Sequence, residues 1–465
     1  MPTPAEFAPL AELARRLDSG ATSARQLVEG ALERIQDPAG EGSRAFIQVS
    51  ADTARTRADE IDRLRAAGHS LPPWAGIPVG IKDLFDVEGE ITRAGSRILE
   101  NAPAARKDAP AVARLRHAGF VFVGRTNMTE FAYSGLGLNP HYGTPLNPFD
   151  RATGRIPGGS TSGGAVAVTD GMAAASLGTD TGGSCRIPAA LTGIVGFKPT
   201  AGRVPRDGTI PLSPTLDSVG PLARSVACCA TLDAILRDVA PPVPRQEPLA
   251  AMKDLRLLLP TTFVLDDMDD NIARAFERAI DELARAGAVI ERAPVYEFEV
   301  IPDINAKGGL AAAEAYAWHR HYLEQHADRY DPRVAARILK GKEPSAEDIR
   351  QMRQTRRRLI ESFNATTREW HALIMPTVPL IAPPLSAVAL DADYVRLNML
   401  MLRNPALANF LDGCGISLPI HAPGDAPVGL MLIGRQGEDA QLLALAATIE
   451  HALGRSADEG ERFCS

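Results

Sequence analysis

The sequence predicts an α/β fold in which one sheet is covered by helices on both faces. Segments 76–81 and 120–124 are continuous apolar runs, as strands buried on both faces require. Helical stretches lie between and after them. Further apolar runs return late in the chain, at 372–375, 416–420 and 428–433.

Residues 5–35 read as two amphipathic helices. Ser23, with Gln26 three positions on, forms a capping box that starts the second. A short strand at 45–50 and a charged helix at 51–67 follow. Pro72-Pro73 then breaks the chain before strand 76–81, which ends at Lys82-Asp83. Residues 109–118 are helical, and 127–150, rich in Gly, Pro and Asn, form a shaped loop. Small side chains fill 164–175, which suits a helix packed closely on its neighbours, and 194–197 is a strand. Beyond Lys253 come strand 255–259, helix 271–286 and strand 288–291. A largely helical stretch at about 305–370 includes His, Trp and Tyr patches between Tyr316 and His326, and helix 439–453 closes the chain. Without repeats or long linkers, one domain over 1–465 fits best. It has N-terminal helices at 1–70, a core at about 71–235 and 371–465, and a helical cover at about 253–370.

The 465 residues are 45% hydrophobic and 23% charged, enough to bury a large core in an ordinary globular composition. A net charge of −7 gives no electrostatic reason to bind nucleic acid or an anionic membrane. Arg356-Arg357-Arg358, the one basic run, reads as the solvated face of a long helix. Five cysteines, Cys228-Cys229 adjacent and Cys464 near the end, make no disulfide framework and suit a reducing cytoplasm. Neither a secretory signal nor a run of about 18 uncharged apolar residues is found. A soluble cytoplasmic protein is expected.

The chemistry is concentrated at 154–188, where two glycine-rich turns each carry a serine. The first is Pro157-Gly158-Gly159-Ser160-Thr161-Ser162-Gly163-Gly164, the second Asp180-Thr181-Gly182-Gly183-Ser184-Cys185-Arg186. Glycine at this density weakens regular structure and needs a local reason. The N–H groups of Thr181, Gly182 and Gly183 can converge on one point beside the Ser184 hydroxyl, as an oxyanion cradle does. No serine sits in a G-x-S-x-G elbow, and no histidine falls between His141 and His319. His319, His321 and His326 lack metal spacing and read as structural or surface residues. Lys82 is the alternative base, because a lysine ending an apolar strand is desolvated and its pKa falls. Cys185 has no nearby histidine and is a poor nucleophile candidate. Phosphate loops of the G-x-x-x-x-G-K-[ST] or G-x-G-x-x-G type are absent, as is any metal-ligand cluster. No metal and no cofactor are expected.

Lys82-Asp83, the 157–164 turn and Gly178-Thr179-Asp180-Thr181-Gly182-Gly183-Ser184-Cys185-Arg186-Ile187-Pro188 together resemble the amidase signature family. The resemblance also takes in Gly124-Arg125-Thr126-Asn127-Met128-Thr129-Glu130-Phe131, Gly196-Phe197-Lys198-Pro199-Thr200, Met375-Pro376-Thr377 and Pro427-Val428-Gly429-Leu430-Met431-Leu432-Ile433-Gly434. It implies a mixed sheet between helical layers and a Ser–cis-Ser–Lys triad. Ser184 attacks the amide carbonyl, Ser160 on a non-proline cis peptide relays the proton, and Lys82 is the ultimate base. Ser-Thr-Ser at 160–162 departs from the consecutive serines of many members and leaves the relay serine in place.

Family members hydrolyse malonamide, arylacetamides, fatty acid amides, carboxybiuret or allophanate. One branch is the glutaminase subunit of glutamyl-tRNA(Gln) amidotransferase. In that branch an aspartate about seven residues before an asparagine holds the glutamine ammonium, and an upstream arginine holds its carboxylate. Asn409 resembles the asparagine, the aspartate position falls on Leu402, and Arg337 resembles the arginine. The expectation is a stand-alone hydrolase of a small or aryl carboxamide or ureide. The glutaminase subunit is the alternative, and a non-catalytic interaction protein a distant third. The expected partners are a small-molecule amide and a second copy of the chain in a homodimer.

Overall fold

The computed structural model describes residues 8–240 and 252–454. The start of the predicted N-terminal helices, at 5–7, and Cys464 lie outside the described residues. Among these, one sheet contains β1 (Phe46–Val49), β2 (Pro78–Lys82), β3 (Val121–Thr126), β4 (Ala175–Asp180), β5 (Val195–Lys198), β6 (Ser218–Ala223), β7 (Arg256–Pro260), β8 (Val289–Ala293), β9 (Ala372–Pro376), β10 (Cys414–Pro419) and β11 (Gly429–Gly434). Their order across the sheet is β1-β3-β2-β4-β6-β5-β10-β11-β9-β7-β8. β3, β2 and β4 run parallel, as do β9, β7 and β8, while the strands between β4 and β9 pair antiparallel. The predicted α/β class therefore stands, as a mixed sheet.

β2, β4, β5, β6, β9 and β11 are buried along their whole length, as helices on both faces require. The predicted strands appear within a residue or two of their expected ends. The Ser23–Gln26 capping box is formed, starting helix Ala24–Gln36. β7 and β8, in the stretch expected to be a cover, extend the sheet edge; the α-helices of that stretch begin with Asp270–Arg285, close to the expected 271–286, and continue from Tyr296–Asn305 through Ala346–Thr366.

Two strands were not predicted, for physical reasons. β4 reads ASLGTD, mostly small and polar, with no aromatic residue and Thr179 as its one β-branched residue. Its Gly178 lies under the first serine turn, where a Cβ would come 2.9 Å from Thr161 Cγ2. β6 contains Gly220 and Pro221, which in a sequence argue against a central strand. A Cβ at Gly220 would meet the Phe197 carbonyl oxygen at 2.1 Å. The helix expected at 164–175 is instead Ser162–Thr169; Gly171 at φ 70° ends it, and Ala175 already belongs to β4.

One polar reading is narrowed and another changes in part. His319 is fully buried, on the stripe of helix Gly309–His326 that carries Ala312, Ala315 and Leu323. Its Nδ1 is 2.8 Å from the Tyr330 hydroxyl, and burial pushes the imidazole down to about 3, so it is neutral and structural. Of the arginine run, Arg357 and Arg358 are exposed, but Arg356 turns inward and donates to the Asn409 carbonyl oxygen at 3.3 Å.

Candidate active site

β2 and β4 are parallel neighbours, so their C-terminal ends lie at the same edge of the sheet, where open α/β sheets place their ligands. Lys82 is the last residue of β2 and is fully buried. Its Nζ donates to Ser160 Oγ at 2.8 Å and to Thr179 Oγ1, from β4, at 3.0 Å. Burial pushes the ammonium down to about 8, against the pull of the Asp180 and Asp217 carboxylates.

Ser160 is fully buried and follows a cis Gly159–Ser160 peptide bond. Ser184 leaves the end of β4 and precedes helix Arg186–Thr192. The Ser184 carbonyl oxygen accepts the Thr161 N–H at 3.3 Å, so the two serine turns are joined through their backbones. The structure thus brings Lys82 onto Ser160 directly, and ties Ser184 to Thr161, the residue after Ser160, through this backbone bond.

One carboxylate organises the second turn. Asp180 accepts from the N–H groups of Gly183 at 2.8 Å and Cys185 at 3.0 Å, and from Arg186 Nε and Nη2 at 3.1 and 2.9 Å. Asn409 completes the cluster, donating to Asp180 Oδ1 at 2.9 Å and accepting from Arg186 Nη2 at 2.7 Å. Burial alone would raise the Asp180 carboxyl, but the Arg186 guanidinium and these hydrogen bonds hold it well below the usual carboxylate range. Gly183 adopts φ 128°, and a Cβ there would collide with Ile187 and Pro405 at 2.6 Å, so only glycine permits this turn.

Of the three N–H groups expected to converge beside Ser184, that of Gly183 is therefore turned to Asp180. Those of Thr181 and Gly182 have no protein acceptor among the described residues. Thr181 is held by its side chain, Oγ1 donating to Asp217 at 2.5 Å. Burial pushes the Asp217 carboxyl up to about 6, against hydrogen bonds from Thr181 and the Ser213 N–H. Cys185 is fully buried, and that burial together with Asp180 pushes its thiol well above its ordinary value, so it is not a thiolate.

Leu402 packs beside the second turn, its Cδ2 lying 3.5 Å from where a Gly182 Cβ would be. Arg337, on helix Pro332–Leu339, holds its guanidinium carbon 4.6 Å from the centre of the Tyr133 ring. Its Nε is buried without a hydrogen-bond partner. Sequence reasoning did not assign Thr179 or Asp217. Thr179 was legible as a polar residue at the head of the glycine turn, whereas Asp217 arrives from a loop with no local signal.

The amidase family model matches residues 26–443. This chain belongs to the amidase family. It is accordingly an enzyme that hydrolyses amide C–N bonds. Over 404 residues it is 37% identical to the 2-amino-5-chloromuconic acid deaminase of Comamonas testosteroni, covering 86% of this chain and 87% of that one. Over 475 residues it is 34% identical to a glutamyl-tRNA(Gln) amidotransferase subunit of Chromohalobacter salexigens, covering 95% and 96%. A crystal structure of an amidase superposes with a TM-score of 0.85 at 33% identity, covering 95% of this amidase and 99% of that chain. Among the described residues of this amidase, no helix is long and apolar enough to cross a membrane.

Proposed function

We propose that this amidase hydrolyses a small amide or ureide that bears a carboxylate, through an acyl-enzyme on Ser184, and acts without a tRNA-amidating partner. The observation that carries the catalytic half is the buried Lys82 ammonium, lowered to about 8 and 2.8 Å from Ser160 Oγ. In its neutral form Lys82 takes the Ser160 proton as Ser160 takes that of Ser184, and Ser184 Oγ bonds to the carbonyl carbon. The negative charge on the carbonyl oxygen falls to the Thr181 and Gly182 N–H groups. Collapse breaks the C–N bond, and the proton returns through Ser160 to the leaving amine. Water then repeats the relay, releasing the acid and regenerating Ser184.

The substrate half rests on Arg337 and Leu402. An arginine stacked on Tyr133, with a buried unpaired Nε and no carboxylate in ion-pair distance among the described residues, supplies a cation for a substrate acid. The similar deaminase of Comamonas testosteroni is named for an acid substrate, in keeping with this. Leu402 beside Gly182 offers no charge to a glutamine ammonium, which would be desolvated unpaired. The similarity to the amidotransferase chain of Chromohalobacter salexigens keeps the glutaminase reading as the one to exclude.

A serine-directed fluorophosphonate should add one adduct by intact mass, absent in Ser184→Ala. Ammonia release should be fast from acid-bearing amides such as succinamate, and glutamine should be inert alone or with amidotransferase partner subunits. Labelling that persists in Ser184→Ala would overturn the nucleophile, and efficient glutamine hydrolysis the substrate reading.

A further inference from the structure

Asn398 lies on helix Asp391–Arg403 and is fully buried. Its Oδ1 accepts two hydrogen bonds, from the Gly135 N–H at 2.9 Å and from Ser134 Oγ at 2.9 Å. A backbone N–H can only donate, so it fixes which atom of the side-chain amide is oxygen. The Nδ2 group on the other side is buried and has no partner. A buried amide left with unused donors is costly, and such a group calls for a ligand or an ordered water.

Its neighbours say what kind of ligand. Leu402 is one helical turn further along the same face. Leu402 packs against the Cβ positions of both Gly135, at 3.4 Å, and Gly182, at 3.5 Å, so this face fronts the turn that leads to Ser184. The segment Asn398 holds, Ser134-Gly135, directly follows Tyr133, on whose ring Arg337 is stacked. Two buried, unsatisfied groups, Asn398 Nδ2 and Arg337 Nε, thus belong to side chains held against the one segment Tyr133-Ser134-Gly135, and both are donors. A carboxylate, which only accepts and has two oxygens, is the complementary group.

We infer that Asn398 is a specificity-determining residue whose Nδ2 donates to a carboxylate oxygen on the acyl part of the substrate. Arg337 takes the same carboxylate. The inference rests on the acid-bearing substrate proposed above and assigns a second recognition residue to it.

The test is the ratio of kcat/KM for succinamate to that for butyramide, the uncharged amide of similar length. A ratio cancels any difference in the amount of folded enzyme between variants. Asn398→Asp keeps an acceptor for Ser134 and Gly135 and replaces the donor with a second acceptor. The ratio should fall about 100-fold in Asn398→Asp and about 10-fold in Asn398→Ala, mostly through KM for succinamate. A purely structural role predicts a ratio unchanged in both variants, and that result overturns the inference while leaving the substrate reading intact. A wild-type enzyme indifferent to the carboxylate removes the substrate reading, and this inference with it.

Discussion

The ends of β2 and β5 hold two lysines in closely similar circumstances. Lys82 and Lys198 are each the last residue of a short buried strand and almost wholly shielded from solvent. Burial pushes both ammonium groups down to about 8. What differs is what each Nζ touches. Lys82 meets two hydroxyls, Ser160 at 2.8 Å and Thr179 at 3.0 Å. Lys198 meets two backbone carbonyls, Pro199 and Gly413, each at 2.7 Å. A hydroxyl can pass a proton on, but a carbonyl only accepts a hydrogen bond. Lys198 is therefore a clamp between β5 and the loop before β10, whereas Lys82 has the hydroxyl partners that the proposed proton path needs. A lowered pKa does not by itself mark a catalytic group; the chemistry of its partners does.

This contrast can be broken at either end. The largest effect belongs to Lys82→Met, which should cost about 10²–10⁴-fold in kcat while leaving the melting temperature unchanged or higher, since a desolvated ammonium is removed. Lys198→Met should do the reverse. It leaves two carbonyls unpaired at about 1–3 kcal/mol each, lowering the melting temperature, while kcat per titrated active site stays within about threefold. If Lys198→Met abolished turnover in folded enzyme, the distinction would be lost.

The pH profile gives a finer test. Below about 8 Lys82 is mostly protonated and cannot accept the serine proton, so kcat/KM should rise about tenfold per pH unit and level above that value. The profile should be unchanged in Lys198→Met and absent from the residual rate of Lys82→Met. The smallest effect is expected for Asp217→Asn. It keeps an acceptor for the Thr181 hydroxyl but removes a carboxylate that pulls the Lys82 pKa up, so the acid limb should move by a few tenths of a unit to lower pH. A shift to higher pH would show that Asp217 acts on Lys82 in some other way.

The same pair shows why part of the molecule was legible in the sequence. Lys82 stands out because it interrupts a run of apolar residues, and the glycine turns stand out because such density has a conformational cost. Little local distinguishes the two lysines, since Ser160, Thr179 and Gly413 come from other strands and loops and only Pro199 is a neighbour in sequence. β4 and β6 were missed because the sheet needs small residues there. The first serine turn rests on Gly178, and the Phe197 carbonyl approaches Gly220 too closely for any side chain. Close packing of backbone on backbone removes the hydrophobic signature by which strands are recognised. Asn398 was invisible for a related reason, because an unpaired donor is defined by what surrounds it.

The Asp180 cluster has a consequence for how the protein is made. When residues up to Leu236 have left the ribosome, Lys82, Ser160 and Ser184 are already outside. Asn409, which donates to Asp180 from 229 residues away, is not yet synthesised, and β5 still lacks β10, its neighbour in the sheet. Contacts this distant along the chain form last, after the entropy of closing a very long loop has been met. The nascent chain therefore carries the three proposed catalytic side chains for much of its synthesis without Asn409, which completes the carboxylate cluster at the turn around Ser184. Hydrolytic competence is a property of the finished chain, and a truncation that removes β10 and β11 should yield a protein that keeps all three side chains and does not react with the fluorophosphonate.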